Sequence, residues 1–264
     1  MPEIITSSSN SKIKLVRALQ NRSRKRQDEA AFVAEGVRLL EEAVAAGWPV
    51  RFVLYDESLS ERGKDLIRLL ILQQKVDIAE ITTKRMSEIA DTETPQGILA
   101  VLDRQPLPIP DKPTFLIIAD LIRDPGNLGT LLRTAYAASA DAMIITPGTV
   151  DAFSPKVVRA GMGAHFHLPI KEYSWEELPI FLKDVPIFMA EMDSGLPLWE
   201  ADFFQPCGLL IGGEASGPSP KGRATARFSV SIPMPGGAES LNAAVAGAIL
   251  IAEVLRQRFR SKEE

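Results

Sequence analysis

Apolar positions in the first hundred residues alternate between helical and strand spacing. Residues 11–20 have helical apolar spacing, and Asn10 or Ser11 is the predicted N-cap. Apolar runs at 30–36 and 50–55 predict strands. The two spacings go on alternating through the rest of this region. The pattern therefore predicts a small α/β domain.

Continuous apolar runs dominate the second half of the chain, as is typical of strands that are buried on both faces of a parallel sheet. They lie at 115–119, 142–146, 186–190, 208–211 and 229–232. A long apolar helix is predicted from about 239 to 258. Strands that alternate with helices indicate an α/β fold with a mostly parallel sheet, in which ligands bind where the strands end.

A proline-rich segment separates these two regions. Residues 104–113 contain four prolines, a composition that favours an extended connector over a helix or a central strand. We therefore predict a domain at 1–105, a linker at 106–113 and a second domain at 114–264.

Composition excludes several classes of protein. The 264 residues are 45% hydrophobic and 24% charged, which is typical of folded globular domains. The single cysteine, Cys207, excludes an internal disulfide or a multi-cysteine metal site and favours a cytoplasmic location. No apolar stretch is long enough for a membrane span, and the first ten residues lack a signal-peptide pattern, so we expect no membrane association and no export.

Positive charge is concentrated at the start of the chain. The first 30 residues carry seven Lys or Arg and three acidic residues, whereas the whole chain has a net charge of −4. A basic arm on an acidic body is one signature of nucleic-acid contact, although a solvated surface is the simpler explanation. The candidate RNA-binding residues are Lys12, Lys14, Arg22, Arg24, Lys25 and Arg26.

Three loops that follow predicted strands combine turn-forming and polar residues. In the loop after 115–119, Asn127 or Gly129 is predicted to start the helix that carries Arg133. The loop after 208–211 is rich in glycine and contains Glu214, but its spacing matches neither a dinucleotide fingerprint nor a P-loop. The loop after 229–232 is rich in proline and glycine and ends with Ser240 and Asn242, either of which could cap the next helix.

As an ordered set, these loops resemble the three motifs of the SpoU (TrmH-like) RNA ribose methyltransferases. The matching residues are Asp124-Pro-Gly-Asn127-Leu-Gly129 with Arg133, Gly212-Gly-Glu214-Ala-Ser-Gly217, and Ile232-Pro-Met234 with Ser240-Leu-Asn242. Residues 154–164 resemble the family's block between the first and second motifs, with Gly161 where a serine is common. Residues 32–36 and 94–97 are similar to the substrate-binding domain that many members carry.

The resemblance implies a C-terminal trefoil knot, S-adenosylmethionine (AdoMet) as the cofactor, and a homodimer formed through the C-terminal domain. It implies that the catalytic residues are Arg133, Asn127, Glu214 and Asn242. It implies that the residues holding the cofactor are Gly212, Ile232, Met234, Ser240 and Leu241. Because a guanidinium is a poor base at neutral pH, we expect Arg133 to stabilise the developing alkoxide and to bind a neighbouring phosphate.

The expected reaction is 2′-O-methylation of a ribose in RNA. The domain at 1–105 is the candidate reader of the substrate, and members that carry such a domain more often act on large-subunit ribosomal RNA. We therefore expect 23S ribosomal RNA as the substrate, with transfer RNA as the alternative. Two other interpretations are a non-catalytic RNA-binding protein of the same fold and an ordinary nucleotide-binding enzyme. The presence of Arg133, Glu214 and Asn242 argues against the former, and the absent dinucleotide fingerprint argues against the latter.

Overall fold

A computed structural model describes residues 4–73, 76–192, 195–214 and 217–260. The chain divides into two compact units. The first, called the N-terminal unit, comprises Met1–Gln105 and the later segment Phe153–Phe166. The second, called the C-terminal unit, comprises Pro106–Ala152 and His167–Glu264. The sequence placed residues 153–166 in the second predicted domain, but this segment packs with the N-terminal unit.

The N-terminal unit is built on a five-stranded sheet. Its elements up to residue 103 are β1 (Ile4–Ile5), α1 (Ser11–Asn21), α2 (Ser23–Asp28), β2 (Ala31–Glu35), α3 (Val37–Ala45), β3 (Val50–Tyr55), α4 (Glu61–Gln73), β4 (Asp77–Ile81), α5 (Thr83–Ile89) and β5 (Ile98–Asp103). The strand order is β1-β4-β3-β5-β2. Strands β1, β4 and β3 run parallel, and β5 runs antiparallel to both β3 and β2. The predicted small α/β domain is confirmed.

Helix α1 follows its apolar pattern. The Asn10 side chain accepts a hydrogen bond from Lys12 N at 2.9 Å and so caps the helix, as predicted. Ile13, Val16 and Leu19 are fully buried in the cluster beneath the sheet. Burial of each of these side chains contributes about 1.5–3 kcal/mol.

The segment Phe153–Phe166 is attached to the N-terminal unit by aromatic contacts. The rings of Phe153 and Phe32 lie 5.2 Å apart, and those of Phe166 and Trp48 lie 5.3 Å apart. A Cβ on Gly161 would lie 2.8 Å from the ring of His165, so the serine common in the family would not fit here without a shift of that ring.

The C-terminal unit contains a seven-stranded, fully parallel sheet. The elements after residue 114 are β6 (Phe115–Asp120), α6 (Pro125–Ala137), β7 (Ala142–Ile145), α7 (Pro155–Ala160), β8 (Ile170–Glu172), α8 (Leu178–Leu182), β9 (Ile187–Glu191), β10 (Leu196–Pro197), β11 (Cys207–Gly212), α9 (Pro220–Thr225), β12 (Phe228–Ser231) and α10 (Ala243–Arg260). Helix α7 belongs to the segment that packs with the N-terminal unit. The strand order is β10-β12-β9-β11-β6-β7-β8. The predicted parallel α/β fold is confirmed, while the trefoil knot stays a prediction.

Strand pairing brings the ends of separate strands together. Asp120, the last residue of β6, pairs with Gly212, the last residue of β11. Likewise, Glu191 at the end of β9 pairs with Ser231 at the end of β12. The loops that follow β6, β11 and β12 therefore leave the sheet at the same edge.

Helix α10 begins later than its apolar pattern predicted. The predicted start near 239 is wrong, because residues 238–242 are irregular and the helix begins at Ala243. Asn242 caps it by accepting hydrogen bonds from Ala244 N at 2.9 Å and Val245 N at 3.2 Å. The preceding segment turns at Gly237, whose φ of 75° is the left-handed conformation that glycine adopts without strain.

Candidate active site

Three side chains from different loops are joined by hydrogen bonds at the carboxyl edge of the seven-stranded sheet. Asn127 Nδ2 donates to Glu214 Oε1 at 2.5 Å, and Asn242 Nδ2 donates to Asn127 Oδ1 at 2.9 Å. Glu214 and Asn242 are exposed, so a substrate can reach them. The structure thus brings together three of the four predicted catalytic residues, and we call them the polar cluster.

Asn127 is positioned by the first turn of α6. The prediction that Asn127 or Gly129 starts this helix is wrong, because the helix begins at Pro125. Asp124 is its N-cap and accepts a hydrogen bond from Asn127 N at 2.8 Å. This combination of an aspartate cap and a proline at the first helical position is favourable. Proline has no N–H that needs a hydrogen-bond acceptor, and the aspartate carboxylate accepts a hydrogen bond from one of the other free N–H groups of the first turn. The cap also fixes the backbone of Asn127, and with it the direction of the amide.

Arg133 lies outside the polar cluster. It follows Asn127 by six residues in α6, a separation of roughly 9 Å along a helix axis. Its side chain is exposed and makes no hydrogen bond or ion pair with the residues that the structure describes. The Asn127 amide is bonded to Glu214 and Asn242 and not to Arg133. The guanidinium is therefore free to bind a substrate.

A cleft of about 740 Å³, measured out to its open side, lies beside the polar cluster. All five residues predicted to hold the cofactor line it, namely Gly212, Ile232, Met234, Ser240 and Leu241. Glu214 also contributes to the lining. Glu214 therefore belongs both to the lining of the cleft and to the polar cluster.

The glycines of the loop after β11 are required by close contact between backbones. A Cβ on Gly212 would lie 2.2 Å from Pro218 N, and one on Gly213 would lie 2.2 Å from Leu121 O. A larger residue at Gly213 would force the loop away from the end of β6, and a larger residue at Gly212 would collide with Pro218 of the same loop. Gly213 therefore allows the close approach of the two loops that carry Asn127 and Glu214.

A buried carboxylate that the sequence analysis missed holds this edge together. Asp120 is fully buried, and its oxygens accept hydrogen bonds from Ser219 N at 2.7 Å and Thr146 Oγ1 at 2.9 Å. It thereby links β6 to the start of α9. The available signal was an acidic residue that directly follows the apolar run at 115–119.

An ion pair in the lining of the cleft was also missed. Arg223 of α9 donates to Glu191 at the end of β9, and both residues line the cleft. The two lie 32 residues apart and belong to no motif that the sequence offered. Only the tertiary structure brings them together.

Cys207 takes no part in this chemistry. Burial raises the pKa of its thiol to about 11, against a smaller opposing effect of Arg258. The thiol is thus protonated at neutral pH and serves as a small packed side chain, since only a thiolate is an effective nucleophile.

The basic residues predicted to bind RNA fall into three groups, which are ion-paired, exposed and buried. Lys12 pairs with Asp77 and Lys25 with Glu29, both at 2.7 Å, whereas Lys14, Arg22 and Arg24 are exposed. Arg26 departs from the prediction of RNA contact. It is only 4% exposed, and its guanidinium donates to the carbonyl oxygens of Leu19 and Gln20. Arg26 is therefore not part of an RNA-binding surface, because it is buried and its guanidinium binds the last carbonyl groups of α1.

Comparison with known proteins decides the family. Residues 114–252, more than half of the chain, match the SpoU rRNA Methylase family. The chain belongs to this family. In addition, residues 10–100 match the MRM3-like substrate binding domain. The SpoU motifs and the accessory domain therefore account for most of the sequence.

Several relatives of this SpoU protein are similar over nearly their whole length. The chain is 32% identical to the 23S rRNA (guanosine(2553)-2'-O)-methyltransferase RlmP of Bacillus subtilis, covering 94% of this chain and 97% of that protein. It is 34% identical to the 23S rRNA (uridine(2479)-2'-O)-methyltransferase of Streptomyces viridochromogenes, covering 97% and 93%. The crystal structure of the SpoU methyltransferase AviRb from the same organism, in complex with the cofactor AdoMet, has a TM-score of 0.85 at 31% identity and covers 95% of this chain and 98% of that one.

The lining of the cleft in this SpoU protein fits the chemistry of AdoMet. Ile232, Met234 and Leu241 offer apolar contact for an adenine ring. Between residues 232 and 241, the described backbone has a turn hydrogen bond from Gly237 N to Met234 O and otherwise no helix or strand pairing. Backbone donors and acceptors are therefore available to the edges of a purine.

Among the described residues, no helix is long and apolar enough to cross a membrane.

Proposed function

We propose that this protein is an AdoMet-dependent methyltransferase that methylates the 2′-oxygen of a ribose in 23S ribosomal RNA. The observation that carries the proposal is the polar cluster beside a cleft that fits the cofactor. The three cluster residues come from the three loops that match the SpoU motifs. Both named relatives are 23S ribosomal RNA 2′-O-methyltransferases that match nearly the full chain.

The cofactor site in this proposal is the cleft itself. Gly212, Ile232, Met234, Ser240 and Leu241 hold AdoMet through backbone groups and apolar contact. Bound there, AdoMet supplies an electrophilic methyl group on its sulfonium. The protein then has little covalent chemistry to perform, and catalysis depends mainly on the position of the ribose oxygen and on the fate of one proton.

The polar cluster positions the ribose. Glu214 fixes the Asn127 amide, and Asn127 in turn fixes Asn242, so the three side chains form one preorganised set. Exposed polar atoms of Glu214 and Asn242 are available to hydroxyl groups of the sugar. Because the cluster is assembled before the substrate binds, little reorganisation is needed at the reaction step.

Arg133 stabilises the charge that develops on the ribose oxygen. Guanidinium groups stay protonated at neutral pH, so Arg133 does not act as the base. Its planar N–H groups suit both the developing alkoxide and a neighbouring phosphate. In this proposal the hydroxyl proton leaves to solvent water while Arg133 holds the oxygen.

Substrate selection belongs to the N-terminal unit. Lys14, Arg22 and Arg24 are exposed cations in and between α1 and α2, and they are suited to RNA phosphates. The two named relatives methylate a guanosine and a uridine, so the catalytic motifs do not determine the base. We expect the N-terminal unit to choose the site by the shape and unpaired bases of the RNA.

A cytoplasmic location is part of the proposal and is favoured by the free thiol of Cys207.

A homodimer through α10 completes the proposal. Leu250, Ile251 and Val254 are buried within the chain, but Val245 and Phe259 on another side of the helix are 48% and 62% exposed. Large apolar side chains exposed along one helix suit a self-complementary interface. We expect a second copy of the chain to cover them.

The decisive experiment is a map of 2′-O-methyl groups. Ribosomal and transfer RNA from a strain that lacks the protein are incubated with the purified protein and AdoMet. The expected result is one new 2′-O-methyl group in 23S ribosomal RNA. A methyl group found only in transfer RNA would support the alternative substrate, and one found on a base would overturn the mechanism.

A further inference from the structure

An ion pair lies in the lining of the cofactor cleft and has no part in the polar cluster. Arg223 Nη1 of α9 donates to Glu191 Oε2 at the end of β9. The Glu191 side chain is 15% exposed, and that of Arg223 is 43% exposed. The carboxylate is thus held in the wall of the cleft, while part of the guanidinium remains open to a ligand.

The position of Arg223 is fixed by the elements around it. Ser219 caps α9 by accepting a hydrogen bond from Gly222 N at 3.0 Å, and the buried Asp120 anchors Ser219 N. A Cβ on Gly217 would lie 3.4 Å from Arg223 Nη2, so the guanidinium reaches the loop that carries Glu214. The ion pair therefore lies close to the residues that hold the cofactor.

Both members of the pair have unused hydrogen-bonding capacity. A guanidinium carries five N–H donors, and a carboxylate can accept about four hydrogen bonds. Apart from the bond to Glu191, the Arg223 side chain has no hydrogen bond to the described residues. The pair can therefore bind a further anionic group and a further cationic group at once.

The amino acid end of AdoMet offers this combination of groups. Its α-carboxylate and α-ammonium are both attached to the α-carbon, and together they form a zwitterion that matches an ion pair. Arg223 and Glu191 would stay paired with each other, and each would gain a second partner of opposite charge from the ligand. A simple phosphate fits less well, because it would bring a second negative charge close to Glu191.

We propose that Arg223 and Glu191 form the subsite for the amino acid end of the cofactor. Arg223 donates to the α-carboxylate, and Glu191 accepts from the α-ammonium. This inference rests on the proposed function, which places AdoMet in the cleft. It adds two positioning residues that none of the three SpoU motifs contains.

Two analogues isolate the contribution of this subsite. S-adenosylhomocysteine carries the amino acid end but no sulfonium, whereas 5′-methylthioadenosine lacks the amino acid end. Calorimetric affinities for both are measured with the full-length protein and with Arg223→Gln and Glu191→Gln. The matched control is Lys221→Gln, which removes a cation from the same helix where it pairs with the exposed Glu176 at 2.8 Å.

We expect each cleft variant to weaken S-adenosylhomocysteine binding at least tenfold and to change 5′-methylthioadenosine binding less than twofold. The control should change neither. Equal weakening of both analogues, or no change in either, would overturn the subsite. Unchanged analogue affinities with weaker RNA binding would also overturn it and assign Arg223 to RNA. If the unaltered protein bound neither analogue, the proposed function would fail instead.

Discussion

Asn242 donates through Nδ2 to Oδ1 of Asn127 at 2.9 Å, although 115 residues separate them in the sequence. The other end of the same amide caps α10. One side chain thus links the first SpoU motif to the third and fixes the start of the last helix. These two roles can be separated by mutation, because one uses the amide nitrogen and the other the amide oxygen.

Asn242→Asp should uncouple the cap from the cluster. An aspartate still accepts hydrogen bonds from the first amides of α10, so the free energy of unfolding should change little. Its carboxylate cannot donate to Asn127 and is repelled by Glu214, so methyl transfer should fall strongly. Asn242→Ala should lose both roles and lower the free energy of unfolding by about 0.5–2 kcal/mol. Denaturant titration and methyl-transfer assays on both variants check this, and equal destabilisation would contradict the division of roles.

Arg133→Ala should abolish methyl transfer and leave cofactor binding nearly unchanged. The side chain is exposed and belongs to no cluster in the described structure, so its removal creates no cavity. Arg133→Lys should restore only part of the activity, because an ammonium cannot make the planar double contact. Single-turnover rates and calorimetric AdoMet affinity are the measurements. Loss of cofactor binding together with activity would show that Arg133 is structural.

Asp120→Ala should destabilise the C-terminal unit by about 1–3 kcal/mol, because Ser219 N and the Thr146 hydroxyl would lose a buried acceptor. AdoMet binding should weaken as well, since Asp120 anchors the start of α9. Urea unfolding and calorimetry test both effects. Thr134→Ala, which removes an exposed hydroxyl of α6, is a control for which neither quantity should change.

The triple variant Lys14→Ala/Arg22→Ala/Arg24→Ala should bind ribosomal RNA more weakly. If each cation contacts one phosphate, the slope of log affinity against log salt concentration should fall in magnitude by roughly 2–3. Arg26→Ala serves as the contrasting variant, because its guanidinium is buried and its loss should lower stability. A salt slope that stays the same in the triple variant would place the RNA elsewhere.

Val245→Glu/Phe259→Ser should convert the expected dimer into a monomer. The two substitutions put polar groups on the exposed apolar side of α10. Ile180→Glu on α8 is the control, because Ile180 is 77% exposed and lies on another helix. Sedimentation at micromolar concentration measures the effect. A monomeric unaltered protein would refute the dimer.

Strong local patterns made much of this fold predictable. The uninterrupted apolar runs predicted β6 and β11 because a strand buried on both faces has no polar side. Strands β8 and β10 were missed because they have only three and two residues. They also lie at the edges of the sheet, where strands are less buried and the pattern of apolar residues is weak. The start of α10 was placed too early because Ser240 and Asn242 are both possible caps, and only the structure shows that Asn242 is the cap.

The site was predictable where its residues belong to motifs and hidden where they do not. The motifs named Asn127, Glu214 and Asn242, but only the structure shows that these three bond to one another. Glu191 and Arg223 belong to no recognisable pattern, so only the tertiary structure shows that they pair. Arg26 illustrates the opposite error. A cationic residue within a basic run was assigned to the surface, although its short helix turns it inward.

The aromatic anchoring of Phe153–Phe166 to the N-terminal unit has a consequence for recombination between relatives. The polypeptide passes from one unit to the other at residues 105, 152 and 166. A single crossover between residues 105 and 153 would therefore combine Phe32 and Trp48 from one relative with the counterparts of Phe153 and Phe166 from another. The two sets of rings would no longer be matched to each other. Exchange of the N-terminal unit between relatives therefore requires residues 153–166 to be exchanged together with residues 1–105.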